Sequence, residues 1–180
     1  MEVDEIAGRQ DVRLLPLAVG DVDDGYLEWL RDPETVRFTE IDPDQSLDDV
    51  RGYVAATNAA PNAAIWRILI DRDRHVGNIR LSNIHWRHAR AEVALLIGSR
   101  AEWGKGIATA AIELVSRHAF DKLEMNKLTA GIIATNVGSR RAFEKAGYRI
   151  EATLRDHAVV DDRFCDTYLM ARFTPGRHAI

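Results

Sequence analysis

Between Ala91 and Phe120 the periodicity of the apolar residues changes, and the change passes through a glycine-containing turn, IGSRAEWGKGIAT, Ile97–Thr109. The run Ala91–Ile97 is short and almost wholly apolar, as a buried strand requires. Beyond the turn, Ile107, Ala111, Leu114, Val115 and His118 recur at helical spacing through Phe120, which predicts a long amphipathic helix. A strand, a tight polar turn and a helix opened by Gly104 and Gly106 gather free backbone N–H groups and the positive helix end at one point. Phosphate binding needs this combination, because glycine lets the backbone approach the oxygens. Arg100 and Lys105 add cationic side chains. On this feature alone, an anion site and a turn whose glycines serve only geometry both stay open. A P-loop would need GxxxxGK followed by Ser or Thr, and a dinucleotide fingerprint would need GxGxxG; here Gly106 is followed by Ile107, Ala108 and Thr109, so neither fits.

Around this unit the chain alternates elements. The pattern predicts a strand at Asp11–Leu17, a helix at Asp21–Leu30, a polar loop at Asp32–Pro43 and a helix at Ser46–Ala56 with Ser46 as its cap. Strands at Trp66–Asp71, Val76–Ile84 and Ala91–Ile97, the first two separated by the turn Asp71–His75, read as an antiparallel meander. After the long helix come a β-branched run, Leu128–Ile133, and a helix, Val137–Ala146, with Ser139, Ala142, Phe143 and Ala146 on one stripe and Gly147 as its C-cap. Strands Tyr148–His157 and Arg163–Phe173 follow, separated by a turn at VVDD. This order predicts a single α/β (α+β) domain over residues 1–180. Its mixed central sheet has about seven strands flanked by about four helices, antiparallel early and parallel where a helix links strands.

Composition narrows the function classes. The net charge of −4 argues against general nucleic-acid binding. No apolar run approaches the roughly 18 residues of a membrane span, and the acidic start MEVDEIAGRQD lacks a secretory pattern, so a cytoplasmic protein with no membrane partner is expected. One cysteine, Cys165, excludes an internal disulfide and a cysteine-rich zinc site, and no metal is expected. Charge is unevenly spread: residues 1–50 hold 15 acidic side chains and 4 arginines, whereas residues 51–180 hold 20 basic and 13 acidic ones. Two oppositely charged ligands and two merely solvated faces are both compatible with that division.

WGKGIAT opening a helix, followed about 30 residues later by ATNVGSRRAFEKAGYRIEATLRD, resembles the acetyl-CoA-binding motifs of the GNAT acetyltransferases, and within them the RimJ/RimL branch. The similarity is clearest over residues 76–170. It implies a GNAT-like fold and acetyl-CoA as co-substrate. It further implies that Gly104, Lys105, Gly106, Ile107, Ala108 and Thr109 wrap the pyrophosphate, with Arg100 and Trp103 beside them, and that Leu95, Leu96 and Ile97 bind the pantetheine arm through their backbone. Asn136, Ser139, Arg140 and Phe143 belong to the second motif. Asn136 is equally readable as a helix N-cap, and Arg140 as part of a solvated basic face. Two departures stand out: Ala101 replaces a Gln or Arg common three residues before the first glycine, and Phe143 replaces a tyrosine thought to protonate the leaving thiolate.

Acetyl transfer to an amine with a pKa near ~10.4 needs a proton acceptor at neutral pH. Glu92 is the candidate base, because Val93, Ala94, Leu95 and Leu96 would enclose it and raise its proton affinity; a solvent-facing edge residue is the competing reading. His85 is the alternative base and Ser139 a candidate acid. The resemblance puts Arg37, Phe38, Glu40 and His85 toward the acceptor, with the acidic segment steering a cationic amine. Acceptors open to it are a protein N-terminus, a polyamine or an amino sugar, and a homodimer is among its open assemblies. An acetyl-CoA-binding sensor without turnover is the alternative, with Phe143 its best support.

Overall fold

The computed structural model describes residues 4–7 and 12–176. The elements, in chain order, begin with strands β1 (Ile6–Ala7) and β2 (Arg13–Pro16), helices α1 (Asp24–Arg31), α2 (Pro33–Val36) and α3 (Leu47–Ala59), and strands β3 (Ala64–Ile70), β4 (Arg74–His85) and β5 (Arg90–Ile97). Helix α4 (Ile107–Asp121), strand β6 (Lys127–Ile133), helix α5 (Val137–Lys145) and strands β7 (Arg149–Val160) and β8 (Arg163–Phe173) complete them. The strands form one sheet in the order β1-β2-β3-β4-β5-β6-β8-β7. Every neighbouring pair is antiparallel except β5 and β6, which α4 connects. The mixed sheet and the meander thus match the sequence pattern.

The sheet has two buried faces. On one, Leu14, Trp66, Ile68, Ile79, Leu81, Val93 and Leu128 pack against Ile112 and Val115 of α4 and Phe143 of α5. On the other, Ile65 packs with Tyr26, Leu27 and Leu30 of α1 and Val50 and Val54 of α3, and Leu96 joins from β5. Gly98 sets the fit of α1, because a Cβ there would lie 2.1 Å from the Trp29 ring.

Several boundaries differ from the sequence reading. Asp11, expected in the first strand, lies outside the described residues. The strand predicted at Trp66–Asp71 is β3, which starts at Ala64, two residues before Trp66, and Asp71 is already in the turn. The predicted helix at Asp21 starts at Asp24 instead, where Asp23 caps it by accepting from the Tyr26 N–H. The expected polar loop contains α2, started by Asp32 as N-cap and Pro33 in its first turn. Val159 and Val160 belong to β7; the hairpin turns at Asp161 and Asp162, whose φ values of 50° and 60° suit a tight right-twisted hairpin.

Candidate active site

Strands β5 and β6 share only three register pairs, Arg90 with Lys127, Ala91 with Leu128 and Glu92 with Thr129. Beyond Glu92 they part, β5 staying with β4 as far as Ile97 and β6 staying with β8 as far as Ile133. A fork opens, flanked by Val93–Ile97 on one side and Ala130–Ile133 on the other. Backbone N–H and C=O groups at such an unpaired edge must find partners outside the sheet.

From the fork, β5 leads into the turn. The Gly98 and Ser99 N–H groups both donate to the Val76 carbonyl, at 2.9 and 3.1 Å, and pin the chain there. The Trp103 indole N–H donates to the Ile97 carbonyl at 2.8 Å. Gly104 and Gly106 have φ values of 76° and 85°, left-handed backbone that glycine takes without strain, and the space beside each is open. Among the described residues no side chain caps α4. A helix of 15 residues therefore presents its first N–H groups and its positive end unneutralised beside the fork. Ile107 is buried, while Ala108 and Thr109 are half-buried.

Glu102, which the sequence reading passed over, organises this turn. Its side chain is 7% exposed and receives Arg74 at 2.8 Å and Lys105 at 3.2 Å. Arg74, then Lys105, hold its carboxyl below the usual carboxylate range. Lys105 is thereby tied down within the turn. Arg100 is exposed; its guanidinium lies 3.6 Å from Asp32 and over the Trp103 ring at 5.7 Å. Only an environment readable in three dimensions distinguishes Glu102, although its i,i+3 spacing to Lys105 is a weak signal.

The second motif splits between two roles. Asn136 is the N-cap of α5, its side-chain oxygen accepting from the Ser139 N–H at 3.1 Å. Ser139 is half-buried. Arg140 lies 3.7 Å from Glu144, and its Nε is buried without a hydrogen-bond partner among the described residues. Phe143, expected at the cofactor, is 1% exposed and meets Tyr148 edge-on at 5.0 Å. It faces the core, because Phe143 and Ala142 form the buried stripe of α5.

The opposite sheet face, toward α1 and α3, carries Glu92. The apolar enclosure expected of it is absent: Glu92 is exposed and accepts a 2.9 Å hydrogen bond from the Asn83 side chain. Alternation explains this, since Ala91 and Val93 take the buried side of β5. Ser82 is its cross-strand partner, and Arg80 pairs with Ala94 one step along. Arg80 donates to the phenol oxygen of Tyr53, on α3. Alternation in Val76–Ile84 was the available signal for Arg80; nothing in the sequence brings Tyr53 to it.

His85 does not have a free basic nitrogen: Nδ1 accepts the His88 N–H at 3.2 Å, so in the neutral ring Nε2 carries the proton. It stacks on His88 at 4.2 Å. Arg37 is ion-paired with Asp161 at the β7–β8 turn and lies over Phe38 at 5.3 Å, while Glu40 is exposed. The loop after α2 is thus strapped to the hairpin. Among the described residues no group of three or more His, Cys, Asp or Glu is placed to hold a metal ion, and no helix is long and apolar enough to cross a membrane.

Residues 11–149 match the family model described as acetyltransferase (GNAT) domain. The chain is 25% identical over 167 residues to the uncharacterised N-acetyltransferase p20 of Bacillus licheniformis, covering 91% of this chain and 92% of that protein. It is 31% identical over 103 residues to "Probable N-acetyltransferase YjcK" of Bacillus subtilis, 57% of each chain. In fold it resembles the spermidine N-acetyltransferase of Vibrio cholerae, solved with CoA and spermine. The TM-score is 0.83 at 18% identity, over 91% of this chain and 95% of that one.

Proposed function

The chain belongs to the GNAT acetyltransferase family and is an acetyl-CoA-dependent acyltransferase, and from that premise we propose that a primary amine is acetylated at the fork between β5 and β6. One observation carries the reading: β5 runs from the fork directly to the uncapped, glycine-opened N-terminus of α4. That terminus suits a pyrophosphate, with Gly104 and Gly106 leaving room for its oxygens and Lys105 beside it. The unpaired edge of Val93–Ile97 suits the amide-bearing pantetheine arm, as a strand would. Acetyl-CoA supplies the activated thioester.

The residues of the chain then have distinct tasks. Glu92, exposed at the fork, accepts the proton of the acceptor ammonium directly or through water. The neutral amine attacks the thioester carbonyl carbon, and as the carbon–sulfur bond breaks the nitrogen's second proton passes to the departing thiolate, relayed by Ser139 or water, which ends as it began. The branch is RimJ/RimL-like, and the acceptor class spans protein N-termini, polyamines and amino sugars. Exposed Glu40 and Asp42 draw a cationic amine toward the cleft.

Thiol release from acetyl-CoA, measured against a panel of primary amines and peptides, tests this. Amine-dependent release is expected, with an acceptor KM that rises with salt. Tight acetyl-CoA binding without release from any amine would favour a sensor instead, a reading that the burial of Phe143 and the absence of a phenol at that position support.

A further inference from the structure

Along β4, Ile79 and Leu81 enter the core under α4, so Arg80 and Ser82 stand on the opposite face, beside their partners Ala94 and Glu92. Arg80 and Glu92 are therefore one same-face step apart, about 7 Å along the strands. Opposite charges on long side chains at that spacing are within reach of one another. Here they do not pair: Arg80 donates to the Tyr53 phenol and Glu92 accepts from the Asn83 amide, each held by a neutral partner. Among the described residues neither has an ion-pair partner, whereas Arg67, also half-buried, is matched to Asp21 at 2.9 Å.

We propose that Arg80, oriented by Tyr53, binds an oxyanion of the acceptor, so that the substrate is a small amine that also carries a carboxylate or phosphate. The inference rests on amine acetylation at Glu92. The ammonium lies at Glu92 and the oxyanion at Arg80, and the acceptor spans the two charges that the protein keeps apart. A guanidinium with four N–H donors uncommitted among the described residues is a ready partner for such a group. A polyamine would set its second cation against Arg80, so polyamines become the poorest of the open acceptors.

The test compares 6-aminohexanoate, 6-aminohexanamide and 1,6-diaminohexane, which share one reacting amine, by acetyl-CoA-dependent thiol release. The acid should exceed the amide in kcat/KM by about tenfold or more, with the diamine lowest. Arg80→Gln should bring the acid-to-amide ratio to about one, and Arg80→Lys should leave an intermediate ratio. Loss of folded protein lowers both rates alike and leaves the ratio untouched. A run with 4-aminobutyl phosphate separates phosphate from carboxylate. A wild-type ratio near one, a ratio unmoved by Arg80→Gln, or a fastest rate with the diamine overturns the subsite while leaving the transferase intact. Acetyl-CoA binding with no thiol release from any amine overturns both.

Discussion

Phe143 stands where the resemblance to the family implies a tyrosine in many members, and its packing decides what a tyrosine there would do. At 1% exposure against Tyr148, a new hydroxyl would be buried. Without a partner it costs about 1–3 kcal/mol, and in a domain of this size each kcal/mol lowers Tm by about 2–4 °C. Phe143→Tyr should therefore lower the melting temperature and change turnover little, with acetyl-CoA affinity kept. A large gain in turnover at unchanged Tm would mean that the hydroxyl reaches the cleft. For Glu92→Gln, kcat should fall about 10²–10⁴-fold with acetyl-CoA affinity retained; calorimetry beside thiol release separates the two, and a wild-type kcat removes Glu92 from the chemistry. Legibility varied residue by residue. Gly104, Gly106 and Asn136 were readable because local backbone geometry demands them. The exposure of Glu92 was readable only as one of two alternatives, since period-2 alternation needs a known inner face. Tyr53 was not readable and Glu102 only faintly, through its spacing to Lys105, because their other partners, Arg80 and Arg74, lie 27 and 28 positions away.

At the scale of elements, the turn proposed to take the pyrophosphate is tied together by the Arg74–Glu102–Lys105 clamp. Those cations lower the folded-state pKa of Glu102, so its stabilisation is complete above the ordinary carboxyl range, near ~4.3, and is lost as pH falls through the depressed folded value. Thermal unfolding followed from pH 6 to 3 should show a steeper decline in the wild type than in Glu102→Gln; parallel curves would show that the clamp is not linked to protonation. Gly106→Ala places a Cβ at φ 85°, a strain of about 1–2 kcal/mol, and should weaken acetyl-CoA binding with the acceptor KM unchanged. Element types were legible where periodicity ran for several turns or rungs, as in α4 and β8. Helix α2, with four residues, is too short to show a period, although Asp32 and Pro33 formed a start signal. Strand β1, two residues long, gives no pattern at all.

Across the whole molecule, buried titratable groups on both sides of the sheet bracket its stability. Burial lowers the proton affinity of His75, whose Nε2–H is shared between the Gly77 carbonyl and Asn78, and that of His118 beside Trp66. Each is favoured neutral in the fold, so its contribution holds above the ordinary value near 6.5 and falls away as pH drops below it. Tyr26 and Tyr148 have the opposite sign: burial pushes both from about 10 to about 12, so their contribution holds below pH 10 and is lost as pH rises toward 12. Tm plotted against pH should be flat between these limits and fall on either side; a maximum below pH 6 would contradict it. The layered mixed sheet was legible from element order alone. The fork was not, because β5–β6 register joins residues 37 apart and no local pattern says where pairing stops. That fork leaves β1–β5 and β6–β8 joined within the sheet by three rungs, with α4 bridging them. Within Val93–Ile97 and Ala130–Ile133, deuterium should enter the amides that face the fork faster than those bonded to β4 and β8 in the free protein, and that entry should slow markedly when acetyl-CoA is present. The co-substrate would then act as a missing ply of the sheet, and the two halves would breathe together only while it is bound.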